Sequence, residues 1–448
     1  MTADLLCVDS AADQRINTVV AKGLCTECGT CHGICPKNNI RVARNRHGSF
    51  RYTVKNLEKC GRCHLCIDIC PGEFVDFVDL YTSVFGDFHT SATREPLGIY
   101  TDICLGQAAD DGVHGGGATA GVTTALMIYA LKKRIIDGVF VVQMGNADSG
   151  DPLEPNIYLA RTPGEIIAGQ QSKYTSVPMG HAFREIVYRY REINFGFIGL
   201  GCHIQALRKA EKLIPALKDR IALRVGLFCG HSMDKRGSLH LLRLVGALED
   251  EVERIEYRYG AWPGSFSAFL KDGRRRDIGH IDWTGYVMTL YERDRCHFCT
   301  DPLNQLADIS VGDPWVQELA RCGGKNIVIS RTETGRRILA GAVDEGILLT
   351  EAWNSTAALR SQMKTIYRKR HMIRAYMKLV GLGGQAVPMY QGQLTDEPLT
   401  AKDYVRAAQL EIARRIAKLE LLKDVMPFAG KLFLRLKQQR LKRTSAWY

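Results

Sequence analysis

The chain has 448 residues, of which 46% are hydrophobic, and carries a formal net charge of +12 at pH 7. That length allows about two to four domains and that composition is ample for sizeable cores. No apolar run approaches the ~20 residues of a membrane-spanning helix, and Met1–Arg15 lacks the basic start and apolar centre of a signal peptide, so we expect a cytoplasmic protein.

Eight cysteines near the start of the chain form two copies of the pattern C-x2-C-x2-C-x3-C-P. In bacterial runs of this kind, three close thiolates hold one 4Fe-4S cluster and the fourth thiolate holds the other. Disulfides are typical of short secreted chains, and zinc sites usually lack the third close cysteine and the trailing proline, so we set both aside. The spacing predicts one cluster on Cys25, Cys28, Cys31 and Cys70 and a second on Cys60, Cys63, Cys66 and Cys35.

The segment between the two cysteine runs, Ile40 to Val54, suits a β-hairpin with Asn45-Arg46-His47-Gly48 at its turn. We expect an N-terminal α+β domain at residues 1–82 that resembles a bacterial two-cluster 4Fe-4S ferredoxin. The polar residues 83–97 are expected to form a linker.

After the linker, helix-like and strand-like segments alternate. Short apolar runs predict buried strands, and helix formers predict helices between some of them. The predicted strands are Gly138–Met144, Phe195–Gly199, Ala222–Phe228 and Ala307–Val311, and the predicted helices include Ala118–Lys132 and Ile204–Leu213. The alternation favours an α/β body with a largely parallel sheet, in two parts at residues 98–194 and 195–380.

A glycine-rich stretch occupies residues 112–124. Glycines before a helix let the backbone approach a phosphate, and the free N–H groups of the first helical turn favour an anion. Gly115-x-Gly117-x-x-Ala120 matches a dinucleotide fingerprint, yet Gln107–His114 is polar and does not suggest the strand that should precede it. A phosphate site and a helix entered through flexible glycines both stay open.

Four further cysteines lie near predicted strands. Cys202 follows one strand at the start of a helix, where the helix end favours a thiolate. Cys229 ends another apolar run, and Cys296 and Cys299 form a C-x2-C pair before a third strand. Ligand groups collect at the carboxyl ends of strands in open α/β sheets, so the four could share a third cluster. The alternative is two buried thiols and a pair that binds zinc or nothing.

Residues 381–448 are predicted to form a basic helical tail. From residue 401 onward there are twelve Lys or Arg and four Asp or Glu, with apolar residues interleaved and an interruption near Pro427. Such a helix suits an anionic membrane surface, an acidic partner, or packing on the protein's own body. Nucleic acid is not expected, because no helix-turn-helix, zinc-finger or aromatic-and-basic strand motif accompanies the charge.

Five ordered motifs carry a resemblance to a known family. They are residues 115–126, Gln171-Ser172-Lys173-Tyr174, Gly201-Cys202-His203-Ile204-Gln205, Leu227-Phe228-Cys229-Gly230, and Cys296-His297-Phe298-Cys299-Thr300-Asp301 with Ala307–Asp313. From about Tyr100 to about Val380 the chain resembles the beta subunits of coenzyme F-420-reducing hydrogenase and formate dehydrogenase. Relatives include the plant 7-hydroxymethyl chlorophyll a reductase and a bacterial divinyl chlorophyllide reductase. Where those relatives often have Pro-Cys-Gln, this chain has Gly201-Cys202-His203.

The resemblance implies a flavin, usually FAD, beside a third 4Fe-4S cluster on Cys202, Cys229, Cys296 and Cys299. It also implies flavin contacts for Gly115, Gly116, Gly117, Thr119, Ser172 and Lys173. A flavin joins hydride chemistry to single-electron transfer. We therefore expect a flavin- and iron-sulfur-dependent oxidoreductase that passes electrons between a ferredoxin-type or deazaflavin partner and a substrate. The alternative is an electron-transfer subunit of a larger complex whose organic substrate site lies on another chain.

His203, Lys173 and Asp313 are candidates for steering protons near the flavin, and none is assigned as catalytic. The sequence does not specify the substrate or the direction of electron flow. It also does not distinguish FAD from FMN or indicate the oligomeric state. A third class, a basic binding protein with structural cysteines, predicts colourless purified protein.

Overall fold

The computed structural model describes residues 15–45, 47–148, 150–316, 318–319, 323–417 and 419. Within these residues, no helix combines the length and the apolar character needed to cross a membrane. The turn residue Arg46 and most of the second half of the predicted tail, including Pro427, lie outside the described residues.

The N-terminal domain is a small α+β unit built on a hairpin. Strands β1 and β2 pair antiparallel, so the hairpin predicted between the cysteine runs is present. Phe50 and Tyr52 are buried while Arg51 and Thr53 are exposed, the alternation of a strand with one face on a core. The elements are α1 (Ile16–Ala21), α2 (Thr30–Ile34), β1 (Ile40–Arg44), β2 (Phe50–Val54), α3 (Leu65–Asp68), β3 (Phe74–Asp76) and α4 (Phe77–Phe85).

The body contains two sheets and the helices that cover them. Its strands are β4 (Asp102–Ala108), β5 (Gly138–Met144), β6 (Pro155–Ala160), β7 (Phe195–Gly199), β8 (Ile221–Leu227), β9 (Val252–Tyr259), β10 (Ser265–Leu270), β11 (Arg275–Gly279), β12 (Ile309–Gly312), β13 (Asn326–Ser330) and β14 (Leu348–Ala352). Its helices are α5 (Asp111–Gly116), α6 (Val122–Lys132), α7 (Pro163–Ala168), α8 (Ala182–Arg184), α9 (Gly201–Leu213), α10 (Pro215–Arg220), α11 (Lys235–Val245), α12 (His280–Trp283), α13 (Thr289–Tyr291) and α14 (Glu333–Asp344).

The larger sheet has eight strands in the order β14-β4-β13-β12-β8-β7-β5-β6. Strands β12, β8, β7 and β5 are parallel to one another, and β4 shares their direction because β4 and β12 both pair antiparallel with β13. Strands β6, β13 and β14 run the opposite way. The predicted α/β body with a largely parallel sheet is confirmed.

Helices cover both faces of this sheet. One face packs on α6 and α14 through residues such as Leu126 and Leu339, and the other packs on α4 and α9 through Leu80, Ile204 and Leu207. Strands buried on both faces are almost continuously apolar, which is why β5, β7 and β8 stand out in the sequence.

The glycine-rich stretch follows a strand, contrary to the sequence prediction. Strand β4 ends at Ala108, and its apolar centre, Ile103-Cys104-Leu105, lies just before the polar residues that concealed it. The helix predicted from Ala118 begins only at Val122, because Gly121 takes a left-handed φ of 70° before it.

The smaller sheet, in the order β11-β10-β9, is antiparallel and packs with α11, α12 and α13. Its own core includes Leu241, Tyr257, Phe266 and Trp283. Strand β9 ends at Tyr259, so this sheet brings Arg258 towards the glycine-rich stretch.

The C-terminal segment packs on both other parts of the chain. It contains α15 (Ser355–Tyr367), α16 (Ile373–Leu382), β15 (Met389–Gln391) and α17 (Ala401–Ala417), with a wide π-type turn at Arg368–Met372 between α15 and α16. Strand β15 pairs with β3 and so extends the N-terminal domain. In α17, Glu411 accepts a hydrogen bond from Tyr376 at 2.9 Å, and Arg414 contacts Asp294 at 2.8 Å. The described part of the tail therefore packs on the protein's own body.

Two of the boundaries drawn from the sequence fall inside helices. The division at 82/83 lies within α4, which continues to Phe85 because Leu80 and Tyr81 anchor it in the core. The division at 380/381 lies within α16.

The N-terminal domain contacts the body through closely packed glycines. A Cβ on Gly33 would lie 1.9 Å from the carbonyl oxygen of Gly180, and a Cβ on Gly180 would lie 2.3 Å from the backbone nitrogen of Thr30. The N–H of Gly180 donates to the carbonyl of Cys28 at 2.7 Å. Arg184 donates to the carbonyl of Cys35 at 2.7 Å. The first cysteine run is therefore held directly against the body.

We expect Gly33→Ala to destabilise the protein by about 3 kcal/mol, because a methyl group would force two backbones apart. The measurement is the anaerobic urea unfolding midpoint of the cofactor-loaded protein. Gly381→Ala is the control: its Cβ meets nothing within 4 Å in helix α16, so a gain of about 0.5–1 kcal/mol is expected. Equal midpoints for Gly33→Ala and the unmodified chain would contradict the close packing.

Candidate functional site

One edge of the eight-stranded sheet collects most of the predicted site residues. Strand β4 leads into the glycine-rich stretch, β7 into Cys202, β8 into Cys229 and β12 into Asp313. These strands run in the same direction, so their carboxyl ends meet at one edge, where α/β proteins collect ligand groups.

Four cysteines from three segments line one cavity at this edge, and we call them the cavity set: Cys202, Cys229, Cys296 and Cys299. Cys202 is the second residue of α9, and Cys229 lies two residues after β8. Cys296 and Cys299 lie in and just after the helical turn Asp294–Phe298. The structure therefore brings together thiols that are far apart in sequence, and four thiols are the donor set of a 4Fe-4S cluster.

Buried cations lie beside the cavity set. Burial raises the pKa of Cys229 to about 12, and the neighbouring Cys296 and Cys299 add to this, while Lys369 and Arg293 oppose it. Lys369 donates to the carbonyl of Cys296 at 2.6 Å. A buried pocket disfavours several thiolates without compensating positive charge. Lys369 and Arg293 therefore favour the thiolate form of these cysteines, and a metal group bound there would do the same.

Cys25, Cys28, Cys31 and Cys70 lie together in the N-terminal domain, and we call them the inner set. Burial raises the pKa of Cys25 and of Cys31 well above the usual thiol range, and Cys70 adds to the shift in both. Backbone N–H groups donate to two of the sulfurs, from Glu27 to Cys25 at 3.4 Å and from Gly72 to Cys70 at 3.3 Å. The fourth cysteine of the second run thus lies with the first three of the first run.

The remaining four cysteines of the two runs, Cys35, Cys60, Cys63 and Cys66, are called the outer set. Asn39 connects two of them, because its backbone N–H donates to Cys35 Sγ and its side-chain amide to Cys60 Sγ, both at 3.3 Å. Burial raises the pKa of Cys66, and the neighbouring Cys63 and Cys60 add to it. Cys63 is exposed, so the outer set reaches the surface.

The inner set and the cavity set are neighbours across the domain contact. Burial raises the pKa of Cys202, and Cys28 is the next largest contribution. Arg293 lies between the sets, where it donates to the carbonyl of Thr26 and its Nε lies 3.4 Å from a carboxylate oxygen of Glu27. Burial opposes the charge on Arg293, but Glu27 and the surrounding thiolates raise its pKa above the usual value.

A second arginine connects the same two parts of the chain. Arg295 is buried and donates to the carbonyls of Gly72 and Pro71 at 2.9 and 3.1 Å. Arg293 immediately precedes the helical turn that carries Arg295 and Cys296. One short segment therefore supplies a ligand candidate and two contacts to the N-terminal domain.

The glycine-rich stretch is half helical. Asp110 caps α5 by accepting from the N–H of Val113 at 2.8 Å, and Gly115 and Gly116 lie in the last turn of this helix. A Cβ on Gly115 would meet no atom within 4 Å, whereas one on Gly117 would lie 2.9 Å from the backbone nitrogen of Gly121. Gly115 therefore borders open space, and Gly117 is required by the packing of the chain itself.

Two of the predicted flavin contacts are engaged within the protein. The hydroxyl of Thr119 donates to Asp313, and the ammonium of Lys173 donates to the three carbonyls of residues 169–171. Burial lowers the pKa of Lys173 to about 7. Lys173 therefore holds the backbone of residues 169–171, and Thr119 connects the glycine-rich stretch to Asp313.

A buried arginine joins the segments that surround the glycine-rich stretch. Arg258 donates to Asp313 at 3.0 Å, to the carbonyl of Ala118 at 3.0 Å and to the hydroxyl of Tyr174 at 3.3 Å. Ser172 lies close to the hydroxyl of Tyr174. The small sheet, the end of β12 and the 172–174 segment are thus held in one arrangement.

His203, considered for proton steering, stabilises the start of a helix. Its Nδ1 accepts from the N–H of Leu200 at 3.1 Å, which caps α9 just before Cys202. Burial lowers its pKa to about 3, and Arg293 contributes to the shift. The imidazole is therefore neutral at pH 7.

Sequence reasoning missed Arg258, Arg293, Arg295 and Lys369. Basic residues are mostly exposed in folded proteins, and the local pattern rarely distinguishes buried ones. The position of Arg293 and Arg295 just before Cys296 was the one available signal.

Family models match three stretches of the chain. Residues 103–184 match the N-terminal part of the coenzyme F-420 hydrogenase/dehydrogenase beta subunit, and residues 193–356 match the C-terminal part of the same protein. Residues 24–75 match a 4Fe-4S dicluster domain.

Similar proteins include the beta subunit of the coenzyme F-420 hydrogenase of Methanococcus voltae, which is 27% identical over 260 residues, or 57% of this chain and 86% of the relative. The corresponding beta subunit of Methanosarcina barkeri is 27% identical over 278 residues, or 57% of this chain and 83% of the relative. A solved chain of the F-420-reducing nickel-iron hydrogenase complex from Methanosarcina barkeri aligns with a TM-score of 0.52 and 23% identity, covering 65% of this chain and 97% of that one. This last likeness shows the fold.

The fold and these matches define an iron-sulfur oxidoreductase of the electron-transfer type. The chain belongs to the coenzyme F-420 hydrogenase/dehydrogenase beta-subunit family, with a 4Fe-4S dicluster domain in its N-terminal part.

We expect Arg258→Met to destabilise the protein by about 3 kcal/mol, because it leaves the carboxylate of Asp313 without its buried cation. Adding Asp313→Asn should restore part of the loss, which a double-mutant cycle of urea unfolding measures. Arg336→Met removes the exposed pair with Glu333 and should change stability by less than about 0.5 kcal/mol. Equal effects of the two arginine substitutions would contradict the network.

Proposed function

We propose that the chain is a flavin- and iron-sulfur-dependent oxidoreductase that moves electrons between a protein or deazaflavin partner and a substrate. The observation that carries this proposal is the cavity set, four cysteines from separate segments that line one cavity beside the inner set. In this proposal the cavity set, the inner set and the outer set each hold one 4Fe-4S cluster. Electrons then have a continuous route from the surface to the carboxyl edge of the sheet.

The cavity suits a cluster by its charge as well as by its thiols. A 4Fe-4S cluster with four thiolates is an anion, and hydrogen bonds and nearby charge set its potential. Arg293 and Lys369 line the same cavity as the four cysteines and supply positive charge there. These two residues would favour the reduced state of the cavity cluster.

The flavin site is proposed at the glycine-rich stretch. The backbone at Gly115 is open to an approaching group, and Arg258 and Lys173 fix the surrounding segments. A bound flavin, which we take to be FAD, would exchange electrons in pairs with a substrate and singly with a cluster. Gly115 would allow close backbone approach, Gly116 and Gly117 would keep the chain around it compact, and Thr119, Ser172 and Lys173 would hold the walls.

A second candidate function is electron transfer within a larger complex whose substrate site lies on another chain. Two observations favour it. The relatives are named as hydrogenase subunits, and the solved chain that aligns with this one comes from a hydrogenase complex. The two candidates differ in whether the isolated, cofactor-loaded chain turns over a small molecule with an artificial electron donor. A deazaflavin partner and a cytoplasmic location both remain part of the proposal.

The three-cluster proposal predicts about twelve irons per chain in anaerobically prepared protein. Cys299→Ser should remove about four of them and leave the signals of the other two clusters intact, because it breaks only the cavity set. Cys296→Ser should do the same. Cys104→Ser, which changes a buried cysteine of β4, is the control and should keep all of the iron. Full iron content after both cavity-set substitutions would show that this assignment is wrong.

The flavin proposal predicts that Gly115→Leu abolishes flavin binding without unfolding the protein, because the new side chain enters space that the fold leaves open. Flavin released by heat denaturation is measured, with iron content as the check on folding. Gly164→Leu, at another glycine with nothing within 4 Å, should keep the flavin. Normal flavin content in the Gly115 variant would place the cofactor elsewhere.

A further inference from the structure

The outer, inner and cavity sets together are called the cysteine relay. The outer set is the part of this relay that reaches solvent. Cys63 is exposed, whereas Cys28, Cys31 and Cys70 of the inner set are buried. Electron exchange between proteins needs close approach of the two redox centres. A protein partner of the relay would therefore meet this chain at the outer set.

Four exposed basic residues surround the outer set, and we call them the basic edge: Lys37, Lys55, Lys59 and Arg62. Lys37 donates to the carbonyl of Lys59 at 2.6 Å, and Lys55 donates to the carbonyl of Asn38 at 3.1 Å. Lys59 and Arg62 flank Cys60 and Cys63 in the sequence. The four charges therefore belong to one surface region around the exposed thiol.

The positive charge of the basic edge is not neutralised within the described residues. No Asp or Glu side chain of that part of the chain forms an ion pair with any of the four. Other exposed lysines are paired, such as Lys22 with Glu73 and Lys212 with Asp79. Glu58 is the one carboxylate among residues 55–62. The four basic residues outnumber it, so the basic edge keeps a net positive charge.

An exposed apolar side chain lies within the basic edge. Leu57 is 47% exposed and stands between Lys55 and Lys59 in the chain. A small apolar contact surrounded by charge suits a transient redox complex, whose interface is small and whose specificity comes from charge.

We propose that the basic edge is the docking surface for an acidic one-electron carrier protein. This inference rests on the proposed function, because it assigns the entry point of the same relay. Opposite charges would steer the carrier towards the outer set and accelerate encounter. One electron passes between the carrier and the outer-set cluster, so one is oxidised as the other is reduced, and no bond or proton is exchanged.

The test compares two triple variants of the cofactor-loaded chain that change the net charge equally. The edge variant carries Lys37→Glu, Lys59→Glu and Arg62→Glu. The control variant carries Lys132→Glu, Lys218→Glu and Arg337→Glu, at exposed positions at the end of α6, in α10 and in α14. The probe is a small acidic two-cluster ferredoxin, and both its Kd and its rate of electron exchange are measured at low and high ionic strength.

For the unmodified chain we expect binding that weakens as salt rises, because exposed charges are screened. The edge variant should bind at least about tenfold more weakly at low salt and show little salt dependence, while the control variant behaves like the unmodified chain. Equal weakening by both variants, unaltered binding by the edge variant, or no binding by the unmodified chain would overturn the proposal.

Two further readouts keep this test separate from the proposed function. Iron content shows whether the outer cluster survives, and the triple Gln variant at the same three positions replaces the edge variant if it does not. Reduction by dithionite bypasses docking: a chain that binds the ferredoxin but whose flavin stays oxidised with dithionite would contradict the proposed function alone. If dithionite reduces the flavin but the edge variant binds the ferredoxin as tightly as the unmodified chain, only the docking surface is contradicted.

Discussion

The structure depends on a positive charge buried between two groups of cysteines. Arg293 is buried, and its cost of desolvation is offset by Glu27 and by the carbonyl of Thr26; cysteine thiolates on both sides would add to this. Glu27 also accepts from the N–H of Phe50 at 2.8 Å, which ties the same carboxylate to the hairpin. Arg293 and Glu27 would each be an uncompensated buried charge without the other. Their ion pair therefore holds the N-terminal domain against the body and keeps the inner set beside the cavity set.

The second constraint is the direction of the strands. Five strands of the large sheet share one direction, so the segments after β4, β7, β8 and β12 meet at one edge whatever lies between them in the sequence. Arg258 then connects two of those segments, through Asp313 and Ala118, and joins them to the 172–174 segment through Tyr174. The cavity set and the glycine-rich stretch consequently lie at the same edge of the sheet.

The parts of this arrangement that were predictable are those with a local pattern. Cysteine spacing predicts which cysteines of the two runs gather because most members of each set are close in sequence, and apolar runs predict β5 and β7 because both of their faces are buried. Strand β4 was missed because polar residues follow its apolar centre. The roles of Arg258 and Arg293 were missed because they arise from contacts between distant segments. At the glycine-rich stretch the glycines lead into helix α6, as one of the two sequence alternatives expected, and Asp110 caps a short helix before them that the sequence did not indicate; the flavin contacts stay a prediction.

We infer that a cluster on the cavity set would lie next to a cluster on the inner set. The most direct measurement is the electron paramagnetic resonance spectrum of the fully reduced protein. We expect signals broadened by coupling between neighbouring paramagnetic clusters, and we expect Cys299→Ser to simplify the spectrum to that of the two clusters of the N-terminal domain. A spectrum of the unmodified chain identical to that of the Cys299 variant would contradict the claim.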